Sequence, residues 1–151
     1  MTCMVTLPDG TYIIMNGAQQ GVAGFGLAID PNLNAILYDP GQPVDSRFSI
    51  LGSTDIARMY HSEAILLQDG RVLVSGSDPE DVRFPQEYRV EVYIPPYLAS
   101  GLTQPTFTIA NTDWAYNGAY PIQVTLHQGS AATMRVSLVA GEWWMINTLF
   151  H

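Results

Sequence analysis

The feature that most limits the fold of this chain is a hairpin pattern that occurs twice, sixty positions apart. In the second copy the apolar run 64–67 meets the pair Asp69-Gly70, and a second apolar run, 72–74, leaves it. In the first copy the run 4–7 meets Pro8-Asp9-Gly10, and the run 12–15 follows. The flanking positions coincide: Leu7 with Leu67, Ile13 with Leu73. Asp-Gly between two such runs suits a tight β-hairpin, because glycine accepts the positive φ that the turn demands. A chain holding two such units is expected to be β throughout.

Between the two hairpins lie short apolar segments at 27–29, 35–38 and 47–50, separated by the turns Asp30-Pro31-Asn32 and Asp39-Pro40-Gly41. Repeats of ~50 residues with four short strands each mark kelch-type propeller blades. Propellers need ~4–8 blades to close, so two copies imply further blades upstream. Residues 88–94 alternate Tyr-Arg-Val-Glu-Val-Tyr-Ile, a strand pattern of period two, which Pro95-Pro96 ends because proline cannot donate to a ladder. A domain boundary is expected there. The later segments 106–109, 120–126 and 134–139 also read as strands, as in the beginning of an immunoglobulin-type sandwich. The expected organisation is a partial kelch-type β-propeller over 1–94 and a truncated immunoglobulin-like β-sandwich over 95–151.

Composition narrows the partners. With 47% hydrophobic and 13% charged residues the chain can bury a core. A net charge of −8, with no basic run, argues against nucleic acid and anionic membrane. No apolar run approaches the ~20 residues needed to span a bilayer. The first residues, Met1-Thr2-Cys3-Met4-Val5-Thr6-Leu7, lack the basic and apolar regions of a secretory signal. Cys3 is the single cysteine, so no intrachain disulfide framework exists.

Candidate chemistry gathers at Tyr60-His61, a phenol beside an imidazole just ahead of the second hairpin. Neighbours on a regular strand point to opposite faces, so the pair can converge on one ligand only where the strand begins or bends. On chemistry alone such a pair is more often a half-buried tyrosine beside a solvent-facing histidine. The glycines of 17–26 lack the Lys and following helix of a phosphate loop and read as an inter-strand loop. Asp78-Pro79-Glu80-Asp81 reads as a solvated turn, not a calcium loop. His127 reads as a solvent-facing turn residue. Trp114, Trp143 and Trp144 could stack on a sugar, but nothing in the sequence places them on one surface.

The run Arg58-Met59-Tyr60-His61-Ser62-Glu63-Ala64, the Asp69-Gly70-Arg71-Val72-Leu73-Val74-Ser75-Gly76-Ser77 hairpin and Glu87-Tyr88-Arg89-Val90-Glu91-Val92-Tyr93-Ile94-Pro95-Pro96-Tyr97-Leu98 together resemble one family. It is the copper-radical oxidases, glyoxal oxidase and galactose oxidase, particularly the fungal glyoxal-oxidase-like members. The likeness spans about residues 2–140. It implies the last propeller blades followed by an early-set domain, copper as cofactor, an aldehyde or primary alcohol with O₂ as substrates, H₂O₂ as product, and an extracellular location. Matched by motif, Tyr60 corresponds to the axial tyrosine ligand, also the catalytic base, and His61 to one imidazole ligand. The family's cross-linked tyrosine and cysteine would lie upstream, and Cys3 does not match that cysteine. Its second histidine ligand belongs to a Thr-His pair that Gly141-Glu142-Trp143-Trp144-Met145-Ile146-Asn147-Thr148-Leu149-Phe150-His151 does not contain. The resemblance therefore implies a C-terminal fragment holding half of the copper site, inactive by itself. The alternative is a non-catalytic kelch-type module that uses its loops for binding or structural roles.

Overall fold

The computed structural model describes residues 2–139, and the tail 141–151 with its missing Thr-His pair, Trp143 and Trp144 lies outside them. The first hairpin joins β1 (Cys3–Thr6) to β2 (Tyr12–Met15). A ribbon follows, β3 (Ala18–Gly21) paired with β4 (Ala28–Pro31). Then come β5 (Asn34–Tyr38) and β6 (Phe48–Ser53), which complete a four-stranded antiparallel sheet in the order β1-β2-β5-β6. The second hairpin, β7 (Ser62–Leu66) and β8 (Val72–Gly76), gains β9 (Glu91–Tyr93) to give a three-stranded sheet. One helical turn, α1 (Pro96–Ala99), starts on proline, where the missing N–H costs nothing. The described chain continues into a separate hairpin of β10 (Thr106–Ile109) and β11 (Ile122–Thr125). Among the described residues no helix is long and apolar enough to cross a membrane.

The duplicated sequence makes duplicated backbone. Cys3 pairs with Met15 and Thr6 with Tyr12; Glu63 pairs with Ser75 and Leu66 with Val72, the same register sixty residues later. The turns match bond for bond. Gly10 N–H donates to Leu7 C=O at 3.0 Å and Leu7 N–H to Thr11 C=O at 2.9 Å; Gly70 donates to Leu67 at 2.9 Å and Leu67 to Arg71 at 2.8 Å. Asp9 Oδ1 accepts from the Thr11 amide at 3.0 Å, and Asp69 Oδ1 accepts from the Arg71 amide at 3.1 Å. Gly10 and Gly70 stand at φ +88° and +84°, the left-handed conformation that closes a three-residue hairpin loop.

The faces used differ. In the first sheet Val5, Leu7, Ile13 and Met15 are buried; in the second it is Ala64, Val72 and Val74, one residue out of phase. All seven belong to one core, joined by Ala35 and flanked by Cys3, Leu37, Leu51, Leu66, Tyr93 and Tyr97. The front of one sheet thus packs on the back of the next. Burying an aliphatic side chain of this size contributes roughly 1.5–3 kcal/mol. On the outer face of the first sheet Met4, Ile14, Ile36 and Ile50 form one cross-strand row, of which Met4 and Ile50 are exposed.

Several segments differ from the sequence expectation. Residues 27–29 do not join the four-stranded sheet; β4 pairs only with β3, and the glycine-rich stretch expected as a plain loop forms half of that ribbon. Only Glu91–Tyr93 of the alternating run 88–94 is strand, and its ladder with β8 ends at Val74↔Glu91 although β8 itself continues to Gly76. Residues 134–139 carry no strand. Apart from α1 and short helical turns, the described residues are all-β.

Candidate metal centre

Tyr60 and His61 sit in the turn that feeds β7, and hydrogen bonds fix the peptides around them. Arg58 C=O accepts from Gly17 N–H at 2.8 Å, and Tyr60 C=O accepts from Asp78 N–H at 2.7 Å. The Met59 amide donates to Ser77 Oγ at 2.8 Å, while Ser62 Oγ donates to Met59 C=O at 2.8 Å. His61 has φ +60°, a left-handed conformation rare for a non-glycine residue. That bend cancels the strand alternation. The Tyr60 and His61 rings therefore lie on the same side, centroids 4.4 Å apart and planes 37° apart. Tyr60 is half-buried and His61 exposed, so the pair forms a rim open to solvent.

Backbone of the second hairpin closes against this bend. Gly76, at φ +72°, comes so near that a Cβ there would stand 2.7 Å from the His61 carbonyl oxygen. Behind the turn lies Cys3, half-buried, whose Sγ donates to Ser62 C=O at 3.3 Å. Burial pushes its thiol pKa up, so it remains a neutral packing residue there.

A third ring completes the cluster. Phe25, at the tip of the β3–β4 ribbon, meets Tyr60 edge-on at 4.9 Å and His61 at 5.5 Å. The tip is anchored on the 78–84 loop: Gly26 N–H donates to Pro79 C=O at 3.0 Å, and Arg83 Nη2 donates to Gly26 C=O at 3.0 Å. Arg83 also pairs with Asp81, whose carboxyl it holds below the ordinary range. The acidic turn expected to be merely solvated thus docks the ribbon. Phe25 was not apparent from the sequence, since a lone phenylalanine between glycines has no periodicity. Its one signal is a large aromatic in an otherwise small-residue stretch.

The other candidates go elsewhere. His127 is exposed beyond β11. Trp114 stacks on Tyr120, centroids 5.3 Å apart and planes 4° apart, and donates through Nε1 to Asn111 C=O at 2.7 Å. Among the described residues no group of three or more His, Cys, Asp or Glu side chains could hold an ion. Tyr60 and His61 bring together one imidazole nitrogen and one phenol oxygen, donor types that suit Cu(II).

The family described as "Glyoxal oxidase N-terminus" matches residues 1–97. A WSC domain-containing protein of Arthroderma benhamiae is 65% identical over 139 residues, 92% of this chain and 15% of its own length. Aldehyde oxidase GLOX1 of Arabidopsis thaliana is 38% identical over 145 residues, 90% of this chain and 24% of its own. The chain thus spans less than a quarter of the length of these relatives. A solved structure titled a novel fungal alcohol oxidase of the AA5 family, in complex with copper, superposes with a TM-score of 0.64 at 25% identity, covering 86% of this chain and 27% of that one.

Proposed function

The chain belongs to the glyoxal oxidase family of copper-radical oxidases, and from that premise we propose that Tyr60 and His61 are two of its copper ligands. The observation that carries the assignment is the left-handed bend at His61, which sets the two rings side by side at 4.4 Å where a regular strand would part them. Copper bound there supplies a Lewis-acidic, redox-active centre. His61 offers a ring nitrogen to it. Tyr60 Oη, on the solvent-facing rim, is the base that accepts a proton from the substrate. Phe25 packs against both rings and holds them in place.

The overall reaction on this reading takes a primary alcohol and O₂ to an aldehyde and H₂O₂, or an aldehyde, water and O₂ to a carboxylic acid and H₂O₂. The whole protein would act on such small molecules outside the cell. We read the two stacked sheets as consecutive kelch-type blades over 1–94, and 95–151 as part of an early-set, immunoglobulin-like domain. Front-to-back packing of matched hairpins supports the first part. Two donors do not fix a tetragonal metal, so the 151-residue chain by itself is not expected to turn over.

Copper titration with a peroxide-release assay tests this, run on the 151-residue chain and on a longer protein that adds the remaining ligands. The expected outcome is Cu(II) binding and turnover in the longer protein alone, both abolished by His61→Ala. Turnover by the 151-residue chain would refute the half-site. Unchanged activity in the longer His61→Ala protein would refute the ligand assignment. Copper-free, inactive behaviour in every form would instead favour a non-catalytic binding module.

A further inference from the structure

Two residues ahead of the tyrosine lies the largest fully buried side chain among the described residues, and it is charged: Arg58 is 1% exposed. Its guanidinium is used on three sides. Nε donates to Glu91 Oε2 at 2.9 Å, Nη1 to Gly76 C=O at 2.8 Å and Nη2 to Arg89 C=O at 2.9 Å. The other Glu91 oxygen accepts from Thr54 Oγ1 at 2.7 Å. The places of these partners are informative. The last ladder pair between β8 and β9 is Val74↔Glu91, so in the same register Gly76 and Arg89 would face each other two residues further on. The guanidinium stands in for the ladder there, taking one carbonyl from each strand as they part.

We propose that Arg58 is a positioning residue for the Tyr60–His61 pair: a fork that splays β8 from β9 and locks the turn carrying both rings. The backbone of the same residues supplies the link. Arg58 C=O is held by Gly17 N–H, and the next amide, Met59, is held by Ser77, the neighbour of Gly76. Gly76 in turn makes the close approach to the His61 carbonyl. Releasing the fork frees the Gly76-Ser77 peptide, and with it both the Met59 anchor and the wall behind His61. A lysine cannot do this work, because an ammonium is a single point of charge and not a planar fork. Salt-bridged arginines are often dispensable for stability when exposed; this one is buried with each of its three nitrogens hydrogen-bonded, so removing a partner leaves polar groups without replacements.

The role rests on the copper reading only for its purpose, and the test separates the two. In the 151-residue chain, amide hydrogen exchange and carbethoxylation of histidines are followed by mass spectrometry in wild type, Arg58→Lys and Glu91→Gln. In Arg58→Lys the amides of Gly17, Met59 and Asp78 are expected to exchange at least tenfold faster, while the β7–β8 ladder amides keep their protection. His61, whose ring is packed against Tyr60 and Phe25 in wild type, is expected to react several-fold faster once the turn loosens. Glu91→Gln keeps the arginine and the shape of the sheet, and is expected to give the same pattern at smaller amplitude; it carries the test if Arg58→Lys does not fold. Uniform acceleration of all amides, or unchanged His61 reactivity in both variants, overturns the proposal. A copper arm in the longer protein asks whether Cu(II) slows His61 modification in wild type. If it does not while the exchange pattern appears as expected, the copper reading falls and the positioning role stands.

Discussion

The β1–β2 and β7–β8 hairpins share register, turn and hydrogen bonds, yet they bury opposite faces. Ile65 and Leu73 occupy the positions of Val5 and Ile13, but Val5 and Ile13 are fully buried while Ile65 and Leu73 are only half-covered. The hairpin's local chemistry therefore sets its shape and not its orientation. Orientation comes from stacking: each sheet has two apolar faces, and the one that meets a neighbour becomes core. The hairpin of β10 and β11 shows the limiting case. Its alternation is as good, but among the described residues none beyond Pro95 is buried, because no second sheet lies against it.

The sharpest way to break this comparison is to truncate the same repeat position in both copies. Ile13→Ala removes a side chain with no exposure and is expected to cost ~2–5 kcal/mol. Leu73→Ala, sixty residues on, is expected to cost about 1 kcal/mol, since its side chain is only partly buried. Urea unfolding with an unchanged m-value measures both. Equal losses would mean that both faces are core and that the front-to-back stacking is misread.

A smaller contrast lies at the tips. Gly10→Ala and Gly70→Ala both force a side chain into the left-handed region, at roughly 1–2 kcal/mol each. A Cβ at Gly10 would meet nothing within 4 Å, whereas one at Gly70 would stand 3.3 Å from the Tyr97 ring. The second substitution is expected to be the worse by a few tenths of a kcal/mol or more, read as the difference in thermal midpoint. If Gly10→Ala proves the costlier, Tyr97 does not press on the second tip.

What could be read from sequence follows the same division between local and tertiary causes. Both hairpins and their turns were legible because Asp-Gly and its flanking runs decide them within a dozen residues. So was the need for a bend at Tyr60-His61, and the φ of His61 supplies it. The buried face was not legible: Ile13 and Ile14 are the same residue type, and only the neighbouring sheet chooses between them. The β3–β4 ribbon was hidden by its glycines and glutamines, whose pairing is set by backbone alone. Arg58 was visible as a letter of the motif, but its burial depends on two carbonyls and a carboxylate 18, 31 and 33 residues away.

The smallest expected effect concerns the residue that joins the two tips. Tyr97, in α1, donates its hydroxyl to Gly70 C=O at the second tip. Its pKa is pushed up to about 12, first by burial and then by the carboxylates of Asp9 and Asp69, one from each tip. An unfolded tyrosine titrates near ~10. Between these values the unfolded chain has lost a proton that the folded chain keeps, so stability falls as pH rises through that window and is whole below it. Tyr97→Phe is expected to flatten the stability–pH curve between about 10 and 12. Tyr93, whose pKa burial also raises, leaves a residual slope. The two tips can then be told apart. Asp9 ranks ahead of Asp69 among the charges acting on Tyr97, although the hydroxyl is bonded at the second tip. Asp9→Asn should therefore lower the Tyr97 titration midpoint more than Asp69→Asn, followed by phenolate absorbance. The reverse order would mean that the first hairpin's tip stands farther from α1 than the shared core requires.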